Sequence, residues 1–166
     1  MSDIITIRPA SRDDVPLVLE FIRDLARYER LEHEVAATEA QLHAALFGER
    51  RYAEVVFACT GGEPVGFALF FHNFSTFKGR PGIYLEDLFV RPQARGRGIG
   101  RRLLEHLART AVERNCARLE WSVLDWNEPS IGFYRSLGAV SLDEWTIFRL
   151  TGESLALLAG GAPTKG

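Results

Sequence analysis

Two cysteines in 166 residues, Cys59 and Cys116, leave no room for a disulfide framework. Without a CxxC pair they suggest no zinc site either. The four histidines, His33, His43, His72 and His106, are scattered without a partner carboxylate or metal-ligand spacing, so metal dependence is not expected. No apolar run approaches the roughly 18 residues of a membrane span, and Met1-Ser2-Asp3 lacks the basic-then-apolar pattern of a signal peptide. A soluble, unexported protein of the reducing cytoplasm is the expectation. A formal charge of −2 offers no basic face for nucleic acid, which points to a small-molecule partner.

What is present is ordinary globular composition, 46% apolar and 25% charged, in a chain long enough to bury one core. The reading is one domain over residues 1–159, with residues 160–166 as a tail too poor in apolar groups to offset its ordering entropy.

The pattern along the chain predicts alternating elements. Residues 4–8 read as a strand stopped by Pro9, and Ser11 as the cap of a helix with Asp13 and Asp14 in its first turn. Leu17, Val18, Phe21, Ile22 and Leu25 form that helix's apolar stripe. A shorter helix starts at Thr38 and stops at Gly48. Strands over 54–60 and 64–71 flank Gly61-Gly62, a hairpin turn, and a third strand runs over 82–90. From Gly98 to about Arg114 the residues Ile99, Leu103, Leu104, Leu107, Ala111 and Val112 make the inner face of a long helix. A strand around 119–124, a helix over 129–137 closed by Gly138, and a strand around 146–150 complete the pattern.

The segment with the strongest chemical signal is Gln93-Ala94-Arg95-Gly96-Arg97-Gly98-Ile99-Gly100, placed between a strand and a helix N-terminus. Glycines there let backbone N–H groups approach an anion, and the first turn leaves unpaired donors. Arg95, Arg97 and Arg101 add charge. A dinucleotide fold needs an acidic residue about 20 positions on, and Glu113 falls inside the helix. A P-loop needs Gly-Lys followed by Ser or Thr, and Gly98-Ile99-Gly100-Arg101 has neither.

With Arg95, Gly98 and Gly100 in that setting, the chain resembles the GNAT superfamily of N-acetyltransferases. The resemblance extends over residues 4–155. It is nearest the diamine (spermidine/spermine) and thialysine branch through Tyr84-Leu85-Glu86-Asp87, Asp125-Trp126-Asn127 and Phe133-Tyr134. It implies an α/β fold whose mixed, mostly antiparallel central sheet is flanked by helices and splayed to admit acetyl-CoA. It also implies a homodimer and direct transfer to an amine. The backbone of Leu88, Phe89 and Val90 would pair with the pantetheine arm, and Gly96, Arg97, Gly98, Ile99, Gly100 and Arg101, with Arg95, would hold the pyrophosphate. Asn127 and Ser130 would add polar contacts, although a helix cap explains Asn127 equally well.

An alkyl ammonium near pKa 10.4 is almost wholly protonated at pH 7, so amine acylation needs a base. The resemblance assigns that work, through water, to Glu86. On a regular strand Glu86 shares a face with Leu88 and Val90; a bulge changes that parity. The resemblance places the Tyr134 hydroxyl by the CoA sulfur, where a phenol near pKa 10, protonated at neutral pH, would protonate the departing thiolate. Tyr28, Glu29, Glu86, Asp87 and Glu144 are assigned to a small cationic amine, each alone also readable as a surface residue. Phe77 stands where the diamine enzymes carry Trp, and Val123-Leu124-Asp125-Trp126-Asn127 is closer to the thialysine branch, implying a lysine-like amine. Protein or peptide acetylation, and a non-catalytic acyl-CoA-binding module, are the competing readings.

Overall fold

The computed structural model describes residues 4–161, in two compact units, one ending at Ser122 and one beginning at Val123. Met1-Ser2-Asp3 and tail residues 162–166 lie outside the described residues.

The first unit is a mixed α/β layer structure. Its five strands, β1 (Ile5–Pro9), β2 (Glu54–Thr60), β3 (Glu63–Ser75), β4 (Arg80–Val90) and β5 (Leu119–Trp121), lie in sequence order across one sheet. All neighbours are antiparallel except β4 and β5, which are parallel. Pro9 does not stop β1 but ends it, tolerated because β1 is an edge strand. Gly61 and Gly62, at φ of 58° and 83°, make the expected hairpin turn between β2 and β3.

Helix α1 (Val15–Tyr28) covers one face. Its Val18, Phe21 and Leu25 join Phe57, Phe67 and Phe89 of the sheet in the core. The Phe21 ring lies 5.1 Å from Phe67 and 5.7 Å from Phe57, within the range of favourable aromatic pairing. Helix α2 (Glu39–Phe47) adds Leu46 to this cluster and starts on a capping box, with Thr38 Oγ1 accepting from the Gln41 N–H. Helix α3 (Ile99–Glu113) lies on the opposite face: a side chain at Gly66, next to inward Phe67, would meet Ile99 and Leu103. Val112, expected on its inner face, is 80% exposed, and Thr110 is buried instead. Helical period brings 103, 107, 110 and 111 into line, and the Thr110 hydroxyl is satisfied by donating to the His106 carbonyl at 2.9 Å.

Ahead of α1, a 3-10 turn (Arg12–Asp14) replaces the expected start of the helix. Asp14 accepts from the Ser11 N–H at 2.7 Å and from both terminal nitrogens of Arg8 at 2.7 and 3.0 Å. Those bonds, the Arg8 pair foremost, hold its carboxyl well below the usual carboxylate range. A depressed folded pKa supplies stability above the unfolded value near 3.9 and loses it as pH falls further. Asp14→Asn is therefore expected to cost about 1–2 kcal/mol at pH 7, reduced by the partial exposure of Arg8. Thermal melts of wild type and variant should converge between pH 4 and 2, and a constant gap over that range would refute the linkage.

The second unit contains α4 (Glu128–Ser136) and α5 (Gly152–Leu158). The strand expected around 146–150 does not form, and that segment has no regular structure. A strand needs a neighbour for its backbone groups, and among the described residues of this unit there is none. The strand expected over 119–124 is confined to Leu119–Trp121. Among the described residues no helix is long and apolar enough to cross a membrane.

Candidate active site

Two adjoining features of β4 build the site in the first unit. Along β4 the register with β3 slips: Leu85 pairs with Phe70 and Asp87 with Leu69, so Glu86 is an unpaired bulge residue. The backbone bonds register the same slip. Before the bulge, the Ile83 N–H donates to Arg118 at 3.0 Å, toward β5; after it, the Arg91 N–H donates to Val65 at 2.9 Å, toward β3. Strand alternation then aims the N–H and C=O groups of Leu88 and Val90 away from β3. Among the described residues of the first unit that edge has no strand partner, because β5 pairs only with Ile83, Tyr84 and Leu85. The parallel strands thus part company where a bound arm could lie.

The bulge also changes which carboxylate turns inward. Glu86 is exposed, whereas Asp87 is on the α1 face with its partner Leu69, which packs against the aromatic core. Burial first, then the charges of Glu86 and Glu29, push the Asp87 carboxyl up to about 7. Glu29, the residue that ends α1, is itself raised by burial. The expectation that Glu86 follows the regular parity of Leu88 and Val90 is corrected by this one extra residue. Asp87, read from sequence only as an amine contact, is the carboxyl with the perturbed protonation.

Beyond β4, Gly96 and Gly98 adopt φ of 75° and 77°, and Gly98 caps α3. Alternation of left-handed glycines with ordinary residues at a helix start makes a concave row of N–H groups suited to an anion. A Cβ at either glycine meets no atom within 4 Å, so the demand for glycine comes from backbone conformation rather than space. Arg97 and Arg101 are exposed around this row. The Arg95 side chain is engaged elsewhere: its Nε–H donates to the Val90 carbonyl at 2.9 Å, and its guanidinium lies 4.8 Å from the Tyr28 ring centre.

Tyr28, Glu29, Glu86, Asp87, residues 88–90 and residues 95–101 are thus all placed in the first unit. Asn127, Ser130, Tyr134 and Glu144 belong to the second. There the Asn127 side chain caps α4 by accepting from the Ser130 N–H at 3.4 Å. Tyr134 follows one turn on, with its ring 5.6 Å from that of Phe133, and Glu144 lies in the irregular segment. Among the described residues no cluster of three or more metal-ligating side chains occurs.

Residues 18–139 match the model of the Acetyltransferase (GNAT) family. The chain belongs to this family of acetyltransferases. It is 40% identical to the thialysine N-epsilon-acetyltransferase of Bos taurus over 94% of its own length and 98% of the bovine protein. It is 31% identical to the L-ornithine N5-acetyltransferase NATA1 of Arabidopsis thaliana, over 90% of this chain and 85% of that one. Among solved structures, an integron cassette protein from the mobile metagenome of V. cholerae superposes with a TM-score of 0.79 at 32% identity, covering 96% of this chain and 98% of the other. This member of the family is thus an N-acetyltransferase with a five-stranded sheet flanked by helices.

Proposed function

We propose that this acetyltransferase uses acetyl-CoA to acetylate a primary amine of a small cationic substrate, lysine-like or a diamine, by direct transfer. The observation that carries the reading is Asp87, a carboxyl raised to about 7 on the same strand as an open backbone edge and a helix-capping glycine row. The donor set fits a pantetheine arm and a pyrophosphate, since unpaired strand groups and left-handed glycines accommodate them without a metal.

In this reading residues 96–101 hold the pyrophosphate, and the arm pairs with the outward backbone groups of Leu88 and the N–H of Val90, whose carbonyl Arg95 occupies. Edge N–H groups of β4 stabilise the oxyanion formed as nitrogen attacks the thioester carbonyl. The incoming ammonium gives its proton to Asp87. The C–N bond forms as the C–S bond breaks, Tyr134 protonates the thiolate, and the second proton of the attacking nitrogen restores the tyrosine hydroxyl. Taking a proton from an ammonium near 10.4 is uphill by about 9 kcal/mol for a carboxylate near 3.9 but only about 5 kcal/mol for one near 7. Glu86, exposed beside Asp87, and Glu29 attract the cationic substrate and keep Asp87 protonatable; Tyr28 and Glu144 complete its contacts. Names of the bovine and Arabidopsis relatives, which specify thialysine and ornithine, support a short ω-amino acid. The homodimer belongs to the same reading, supported by the exposed apolar Trp145, Ile147 and Phe148. So does a cytoplasmic location, supported by two cysteines without disulfide partners.

An amine panel assayed for thiol release from acetyl-CoA tests the proposal. Thialysine, ornithine, lysine and diamines are expected to give turnover, with free amines outcompeting peptides. Release no faster than hydrolysis with every amine would leave a binding module in place of an enzyme, and peptide preference would move the acceptor to proteins.

A further inference from the structure

The first arginine of the glycine loop makes no use of its charge within the loop. Three contacts turn Arg95 back onto the body of the first unit: the Nε–H bond to the Val90 carbonyl at 2.9 Å, the Tyr28 ring at 4.8 Å and the Phe89 ring at 5.3 Å. The two rings have centres 6.4 Å apart. A planar guanidinium stacks on aromatic faces while its N–H groups bond at the rim, which a lysine ammonium cannot reproduce. The contact therefore fastens together the last residue of α1, the end of β4 and the start of the loop. It also occupies the Val90 carbonyl, leaving the neighbouring edge groups to a ligand.

We infer that Arg95 is a positioning residue that couples the donor loop to the amine site. An anion seated on residues 96–101 orders the loop, the ordered loop fixes Arg95, and Arg95 fixes the Tyr28 ring. The amine then binds more tightly to the donor-loaded protein than to the empty one, and by linkage the donor gains by the same factor when the amine is present. This rests on the reading above that Tyr28 contacts the amine and the loop holds the pyrophosphate. Arg95 touches neither reacting atom and acts through Tyr28.

Calorimetry with CoA, in the absence and presence of saturating thialysine, reads the coupling. In the wild type, thialysine should tighten CoA binding about five- to tenfold, the scale of a partly desolvated cation–ring contact. In Arg95→Gln and Arg95→Lys, CoA alone should bind within about threefold of wild type, and the enhancement should vanish. Kinetically the amine KM should rise about tenfold, with a smaller change in kcat. A tenfold or greater loss of CoA affinity in Arg95→Gln would instead make this arginine a pyrophosphate contact, and survival of the enhancement would show that coupling runs elsewhere; either overturns the inference.

The clamp itself is read without any acceptor from the ¹⁵N resonance of Arg95 Nε–H. That resonance should be present without CoA, should move in Tyr28→Leu, and should gain protection from exchange when CoA is added. Its disappearance on adding CoA, or indifference to Tyr28→Leu, rejects the clamp. A wild type that binds CoA but no amine refutes the proposed acceptor class, while this resonance still decides the place of Arg95.

Discussion

Asp87→Asn should lower kcat by about 10²- to 10⁴-fold, the range for loss of a general base, while making the folded protein more stable at pH 8. Both results follow from one carboxyl raised to about 7 by burial and by Glu86 and Glu29. The wild-type profile of kcat/KM should rise through pH 7 as Asp87 ionises, and the variant should lack that limb. For stability the sign runs the other way. An acid whose folded pKa exceeds its unfolded value near 3.9 holds its proton better when folded, so stability declines as pH climbs from about 4 to 7 and stays reduced above that. The reduction is at most about 4 kcal/mol. Asparagine removes it, so the melting temperatures should coincide near pH 4 and diverge in the variant's favour by pH 8. A variant that is inactive and less stable at pH 8 would mean that Asp87 is a structural group. Glu86→Gln separates the two carboxylates: it should raise the amine KM and move the limb below pH 7, because one of the charges lifting Asp87 is gone, but the limb should remain.

Tyr134→Phe removes one hydroxyl and is expected to reduce kcat about 100-fold with little change in the affinity for CoA. The substitution leaves the α4 cap at Asn127 and the ring contact with Phe133 in place, so circular dichroism should be unchanged. If the hydroxyl delivers its proton to the departing thiolate, the chemical step slows with no effect on binding. Single-turnover rates of thiol appearance are the measurement that decides. A variant with wild-type single turnover would remove Tyr134 from the chemistry, and parallel losses of CoA affinity and rate would make it a contact for the donor instead.

Much of the fold was visible in residue spacing. The 3.6-residue recurrence of Ile99, Leu103 and Leu107, starting at a glycine, identified α3, and Gly61-Gly62 between two apolar alternations identified the hairpin. Gly96 and Gly98, candidate site residues from the sequence, both adopt a left-handed backbone that few other residues tolerate. What stayed hidden depended on partners far along the chain. Nothing near Arg95 marks the Tyr28 ring, 67 positions earlier, as its neighbour. Residues 146–150 carry β-branched and aromatic side chains, as strands do, but composition does not supply a ladder partner. Helix α5 went unseen because its seven residues are too few to show a period above the surrounding leucines. The protonation of Asp87 was beyond sequence altogether, since burial is a tertiary quantity; the adjacent Glu86-Asp87 pair inside an apolar strand was the one local hint.

The unpaired residue in β4 governs the course of the strand rather than the assignment of its faces. Trimming Glu86 subtracts a single carboxylate and leaves Leu85, opposite Phe70, next to Asp87, opposite Leu69, so alternation becomes uninterrupted and every later residue keeps its face. Asp87 and Phe89 would stay on the α1 side, and what would be lost is the local bend and added twist that a bulge gives its strand. Position 86 is accordingly where the strand changes direction, and a chain one residue shorter there would run straighter along β3.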